Sequence, residues 1–321
     1  MATRPGAAPS PRLAAAPVAV TVLAAVLVAG CGASPGDGDL AIIDAHIHTD
    51  FSGEPNPASG ISETRDRLLE DMGRAGVVGA ISHTDSAGAG YQDDLRERGI
   101  IFCAGVGSTV DAERIRAGLE SGRFRCIKIY LGYAQRFATD TAYAPAYRLA
   151  RGHDVPVVFH TGDTWSARAL VKYAHPLPID EVAVAHPDVD FVIAHAGYPW
   201  TRTAAEVAYK NPNVYLEASA FMVGSAAEAP AAWVERYVVD EISWIFGYVE
   251  DPSVVLFGSD WPLVDMAAYV EAYKRAIPRA HWRAVFHDNA VRVFRLSPAA
   301  GGRAGAVSSG DVAMPVRIAR R

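Results

Sequence analysis

Cysteine is scarce: three in 321 residues, Cys31, Cys103 and Cys126, with no Cys-x-x-Cys pair. That excludes a disulfide-dense scaffold and a four-cysteine zinc site, so any metal must use other ligands. Basic charge is not in excess, since 30 Lys and Arg against 36 Asp and Glu give a formal net charge of −6. Without a basic stripe, electrostatic capture of nucleic acid is not indicated. A Gly-rich turn after the first apolar run, the usual mark of a dinucleotide-binding sheet, is missing; that run leads straight into histidines. The apolar run near the N-terminus, residues 18–28, is shorter than the roughly 20 residues that span a bilayer.

What the N-terminus does carry reads as an address. Arg4 and Arg12 precede an apolar stretch over residues 13–30 that ends in Val28-Ala29-Gly30-Cys31. That order is the order of a secretory signal, and its end resembles a bacterial lipobox, in which cleavage precedes the cysteine and the cysteine carries the lipid. The expectation is a lipoprotein signal peptide over residues 1–30 and a Gly/Ser/Asp tether over 31–39. The protein would then work outside the cytoplasm, held to the membrane only by a lipid on Cys31, with plain secretion as the alternative. Cys103 and Cys126 lie in apolar runs and read first as two buried small hydrophobes, with a disulfide between them as the less favoured alternative.

From residue 40 to 296, short apolar runs alternate with longer amphipathic stretches, the pattern of repeated βα units. The strand candidates are residues 41–46, 77–82, 100–105, 124–131, 155–160, 191–195, 214–218 and 254–258. Helix candidates include 62–74, 112–120, 179–185, 231–245 and 266–276, most of them preceded by Ser, Asp or Pro start signals. Eight such strands in about 250 residues match a single-domain α/β fold, the (β/α)8 TIM barrel. Residues 297–321 turn to Ala, Gly, Ser and Arg without apolar periodicity and read as a tail.

The chemistry-bearing residues stand where strands should stop. Asp44-Ala45-His46-Ile47-His48 closes the first run, and alternation along a strand puts His46 and His48 on one side. His160 ends the fifth run, His195 the sixth, and Asp260 follows the eighth. In a barrel, all strand C-termini meet on one face, so these residues converge around the axis. Three imidazoles and a carboxylate suit Zn2+ or another first-row divalent ion, and a coordination position left for water makes such a site catalytic.

At these residues the sequence resembles the amidohydrolase superfamily, in particular the branch that includes aminocarboxymuconate-semialdehyde decarboxylase. The likeness rests on His46-Ile47-His48, His160-Thr161-Gly162, Ala194-His195-Ala196-Gly197, Gly258-Ser259-Asp260-Trp261-Pro262 and Asp288-Asn289-Ala290. The resemblance implies His46, His48, His160 and Asp260 as ligands of one divalent ion, Zn2+ first and Mn2+ second. It also implies Asp260 as acceptor of a proton from activated water, and His195 as a proton-transfer or orienting histidine that does not ligate. Lys128 ends the fourth strand, where some relatives carry a carboxylated lysine bridging two metals; it could equally hold a substrate carboxylate or be a solvated charge.

The activity implied is hydrolysis, with metal-activated water attacking a carbonyl, lactone or amide carbon of a small organic substrate. The alternative is a metal-dependent carboxy-lyase acting on an unsaturated or aromatic acid, since that branch holds such enzymes. A lipid-anchored binding protein is disfavoured by the complete ligand set. Substrate contacts are expected from Tyr130 and from the connection 161–176, which carries Trp165, Arg168, Lys172 and Tyr173 and hints at an anionic or aromatic ligand. Asp50, Phe51 and His83 are further pocket candidates, whereas His153, His175, His186, His281 and His287 fall outside strand ends and read as structural or exposed.

Overall fold

A computed structural model describes residues 40–296; the expected signal peptide, tether and tail lie outside the described residues. Eight parallel strands follow one another in chain order around a TIM barrel. They are β1 (Ile42–Ile47), β2 (Val77–His83), β3 (Ile100–Val106), β4 (Cys126–Tyr130), β5 (Val157–His160), β6 (Phe191–Ala194), β7 (Val214–Glu217) and β8 (Val255–Leu256). The last strand meets the first through Ala45 N–H donating to the Phe257 carbonyl, 2.9 Å, and Asp260 N–H donating to the His46 carbonyl, 2.7 Å.

Helices fill the crossovers, and their ends follow local chemistry. The helix Arg65–Ala75 starts where the Thr64 side chain accepts from Arg67 N–H and stops at Gly76, whose φ of 71° suits a residue without Cβ. Asp111 and Asp265 cap Ala112–Glu120 and Met266–Ala276 in the same way. Residues 231–245, expected as one helix, form Ala231–Val234, a π-turn over Glu235–Val239 and the helix Asp240–Val249. The helices Ala144–His153, Pro178–Ala185 and Thr201–Lys210 fill the crossovers after β4, β5 and β6, and the 3-10 segment Asp93–Arg98 lies in the one after β2.

The barrel has two apolar layers. Leu68, Phe102, Ile127, Phe159, Phe191 and Val207 belong to the larger cluster, between the sheet and the helices. Ile43, Ala45, Ile81, Val158, Val192 and Leu256 fill the interior, and Ala290, Val293 and Phe294 join that cluster. The inner layer is therefore a packed plug, and chemistry is confined to the rim above it. On β1 the pairing with β2 slips between Asp44 and Ile47. This irregularity lets Ile47 join the outer layer while His46 and His48 turn to the axis.

One expectation is corrected here. Cys103 and Cys126 are bonded to each other, not free. They occupy directly paired positions on β3 and β4, both fully buried in the interior layer, so register brings the two sulfurs together.

Candidate metal centre

The rim collects the predicted residues from six strands. His46 Nε2 and His48 Nε2 lie 3.4 and 3.2 Å from the same oxygen, Asp260 Oδ1. That oxygen is buried and has no hydrogen-bond partner. Each imidazole is oriented from behind: His46 Nδ1 contacts Glu217 Oε2 at 2.7 Å, and His48 Nδ1–H donates to the His83 carbonyl at 3.0 Å. With Nδ1 so engaged, the Nε2 lone pairs of both rings face the carboxylate. Two nitrogens and an orphaned carboxylate oxygen aimed at one point form a donor set that fits a divalent cation.

His160 sits beside this set rather than in it. Its Nε2–H donates to the Asp163 carbonyl at 2.9 Å, while Nδ1 lies 3.1 Å from His195 Nε2. His195 Nδ1 in turn meets the Ser219 hydroxyl at 2.9 Å and stands 3.9 Å from Asp260 Oδ2. For His160 to ligate, its ring must exchange the Asp163 bond for the ion. Lys128, fully buried at the end of β4, places Nζ 3.5 Å from His46 Nε2.

The electrostatics suit cation binding. Burial, with Lys128 adding to it, holds His46 well below the usual imidazole range, so it is neutral and keeps its lone pair. Burial also lowers His195, to about 4, against the pull of Asp260. For Asp260, burial works against the charge, but the close approach of His48 and the nearby His195 and Lys128 overcome it and bring the carboxyl to about 2. Lys128 is lowered by burial to about 8, opposed by Glu217 and Asp260. His195 and Asp260 also hold left-handed backbone, with φ of 58° and 66°, a strain that clusters at functional sites.

The family model described as Amidohydrolase matches residues 43–296. This chain belongs to the Amidohydrolase family. As a member it is a metal-dependent enzyme with the barrel of that family. An amidohydrolase of Burkholderia multivorans solved with bound zinc has a TM-score of 0.57 at 19% identity, over 80% of this chain and 100% of that one. A probable 2-pyrone-4,6-dicarboxylic acid hydrolase of Acinetobacter baumannii gives 0.55 at 14% identity, over 79% and 99%. The 5-carboxyvanillate decarboxylase of Novosphingobium aromaticivorans, complexed with manganese, gives 0.54 at 15%, over 81% and 97%. At such identity these likenesses establish the fold. Among curated proteins, protein fluG of Emericella nidulans is 39% identical over 62 residues, 19% of this chain and 7% of that one, so the chain spans a small part of that relative.

In this amidohydrolase the rim opens into a cavity of about 840 Å3. His48, His83, Tyr130, His160, His195 and Asp260 line it, as do Asp50 and Phe51. From the connection 161–176 only Asp163 and Trp165 reach the lining. Arg168, expected as a substrate contact, is outside it, and so are Lys172 and Tyr173. Lys172 lies over the Tyr173 ring, 4.7 Å from its centre, and Tyr173 packs on Phe137. His153, His175, His186, His281 and His287 are likewise outside the lining.

The residue that sequence reasoning missed is Glu217. It ends β7 and is buried, and burial raises its carboxyl while Ser219 and the Lys128 ammonium oppose that rise and favour the carboxylate. With His46 and His195 it forms a second cluster whose ligand atoms lie within 4.8 Å of one another. The available signal was one acid in the run Val214-Tyr215-Leu216-Glu217, two positions beyond Tyr215 and so on the inward side.

Proposed function

We propose that this amidohydrolase is a hydrolase of small carbonyl compounds, with one divalent ion held by His46, His48 and Asp260 and completed by His160. The observation that carries the reading is the buried Asp260 Oδ1, without a partner, facing two imidazole nitrogens. A divalent ion bound there polarises a carbonyl and acidifies water. The zinc and manganese of the solved relatives support either metal for this site.

The chain's own groups supply the rest. Asp260, held ionised, accepts the proton as water attacks an ester, lactone or amide carbon, and returns it to the leaving oxygen or nitrogen as the acyl C–O or C–N bond breaks. His195, neutral and oriented by the Ser219 hydroxyl, turns its Nε2–H from His160 to the reacting oxygen without ligating. Glu217 fixes the ring of His46. Lys128 is buried beside His46 and neutralises part of the carboxylate charge.

A carboxy-lyase would use the same ligands, and several of the structural relatives are decarboxylases. Hydrolysis is favoured here because the described lining contains no Lys or Arg to receive a substrate carboxylate. The deciding experiment feeds the zinc-loaded protein panels of lactones, amides, esters and aromatic acids in oxygen-18 water. Label entering the product supports hydrolysis, and carbon dioxide release without label supports the lyase.

We also propose that residues 1–30 are a lipoprotein signal, that Cys31 carries the lipid after cleavage, and that residues 31–39 tether the barrel outside the cytoplasm. The Cys103–Cys126 disulfide supports that placement, since such bonds persist in oxidising compartments.

A further inference from the structure

The cavity that opens on the metal centre carries charge of one sign. Asp50, Glu63, Asp85 and Asp163 line it together with Asp260, and no described lining residue is Lys or Arg. None of the first four forms an ion pair with a described Lys or Arg, and their few hydrogen bonds come from neutral groups. Asp85 accepts from the backbone of Ala87 and Ala89, and Glu63 accepts from the Asn56 amide. Like charges brought together without a counter-ion destabilise one another, so the folded rim sustains a repulsion that a bound cation would relieve.

A second, independent feature points to the same ligand chemistry. His83 Nε2–H donates to the Ala45 carbonyl at 3.1 Å, which leaves Nδ1 as an acceptor. His83 is 1% exposed, lines the cavity, and this Nδ1 has no partner. A buried acceptor without a donor is costly unless a ligand supplies one. Around these acceptors stand Tyr130, Tyr133, Trp165 and Tyr198, whose ring faces attract cations. The Tyr130 hydroxyl is already committed as a donor to the Thr84 carbonyl, 3.0 Å.

Resting on the hydrolase reading, we propose that the substrate is an organic cation: an ester, amide or lactone whose reactive carbonyl sits at the metal centre and whose other end carries an ammonium or guanidinium group. The acidic wall with its aromatic faces selects that end and repels carboxylates. This reverses the anionic ligand suggested by the basic residues of the connection 161–176, which the fold directs away from the cavity.

The test uses the zinc-loaded protein and three matched nitrophenyl esters, whose far end is a primary ammonium group, its neutral methyl counterpart or a carboxylate. The expected order of kcat/KM is cation over neutral by about tenfold, with the anion lowest, and the gap shrinks in high salt. Asp50→Asn and Asp85→Asn should each reduce the cation-to-neutral ratio by about twofold. That ratio does not respond to a uniform loss of active protein. Equal rates across the series, or a preference for the carboxylate, would overturn the proposal while leaving hydrolysis intact. If no ester is cleaved, calorimetric binding of the corresponding ethers decides: tighter binding of the cation upholds the charge selection without the hydrolase reading, and equal binding overturns it.

Discussion

Glu217 at the end of β7 meets His46 at the end of β1 across the barrel, Oε2 to Nδ1 at 2.7 Å, with both side chains buried. The carboxylate fixes which imidazole nitrogen faces Asp260, so it governs a ligand from behind. Replacing it frees the ring to turn. Glu217→Ala is expected to weaken zinc affinity about 10- to 100-fold, read by competition with a chromophoric chelator. Unchanged affinity would remove Glu217 from the site.

Gly258 tests the same relationship from the other side. A Cβ at this position would lie 2.2 Å from Glu217 Oε1 and 2.6 Å from its carboxyl carbon. Glu217 is fully packed and has no room to retreat. Gly258→Ala should therefore displace the carboxylate and lower zinc affinity in the same direction as Glu217→Ala. The double variant should be little worse than either single one, because both remove one contact. Additive losses would mean that Gly258 acts elsewhere.

The disulfide sets a stability prediction. Cys103 and Cys126 are 23 residues apart, and closing a loop of that size restricts the unfolded chain. The pair Cys103→Ala and Cys126→Ala should lose about 3 kcal/mol of unfolding free energy, seen as a lower urea midpoint with little change in slope. An unaltered midpoint would show that the bridge contributes nothing to stability.

Much of this architecture was legible before any coordinates. The strand candidates ended where apolar runs met a histidine or an aspartate, and those ends became the rim. The eighth strand shrank to Val255–Leu256, and beyond it Phe257 N–H donates to the Val285 carbonyl rather than to a neighbouring strand. Side-chain partners were less visible. Nothing in the linear order shows that His160 turns toward Asp163 and His195, since ring orientation depends on loops that meet only after folding. The cysteine pairing depends on strand register, and one residue of slip would have separated the sulfurs. Arg168 and Lys172 misled because a basic loop has no fixed direction in the sequence, whereas the folded loop turns both away from the cavity.

The central claim is that one ion stands between Asp260 and the two imidazoles, with His195 acting beside it. Metal analysis of the purified protein with its His46→Ala and His195→Ala variants, alongside turnover, tests it most directly. The account predicts one equivalent of zinc or manganese in the parent, little in His46→Ala, and full loading with lost turnover in His195→Ala. Turnover that survives removal of the metal, or a His195→Ala protein that loses its ion while His46→Ala keeps one, would contradict it.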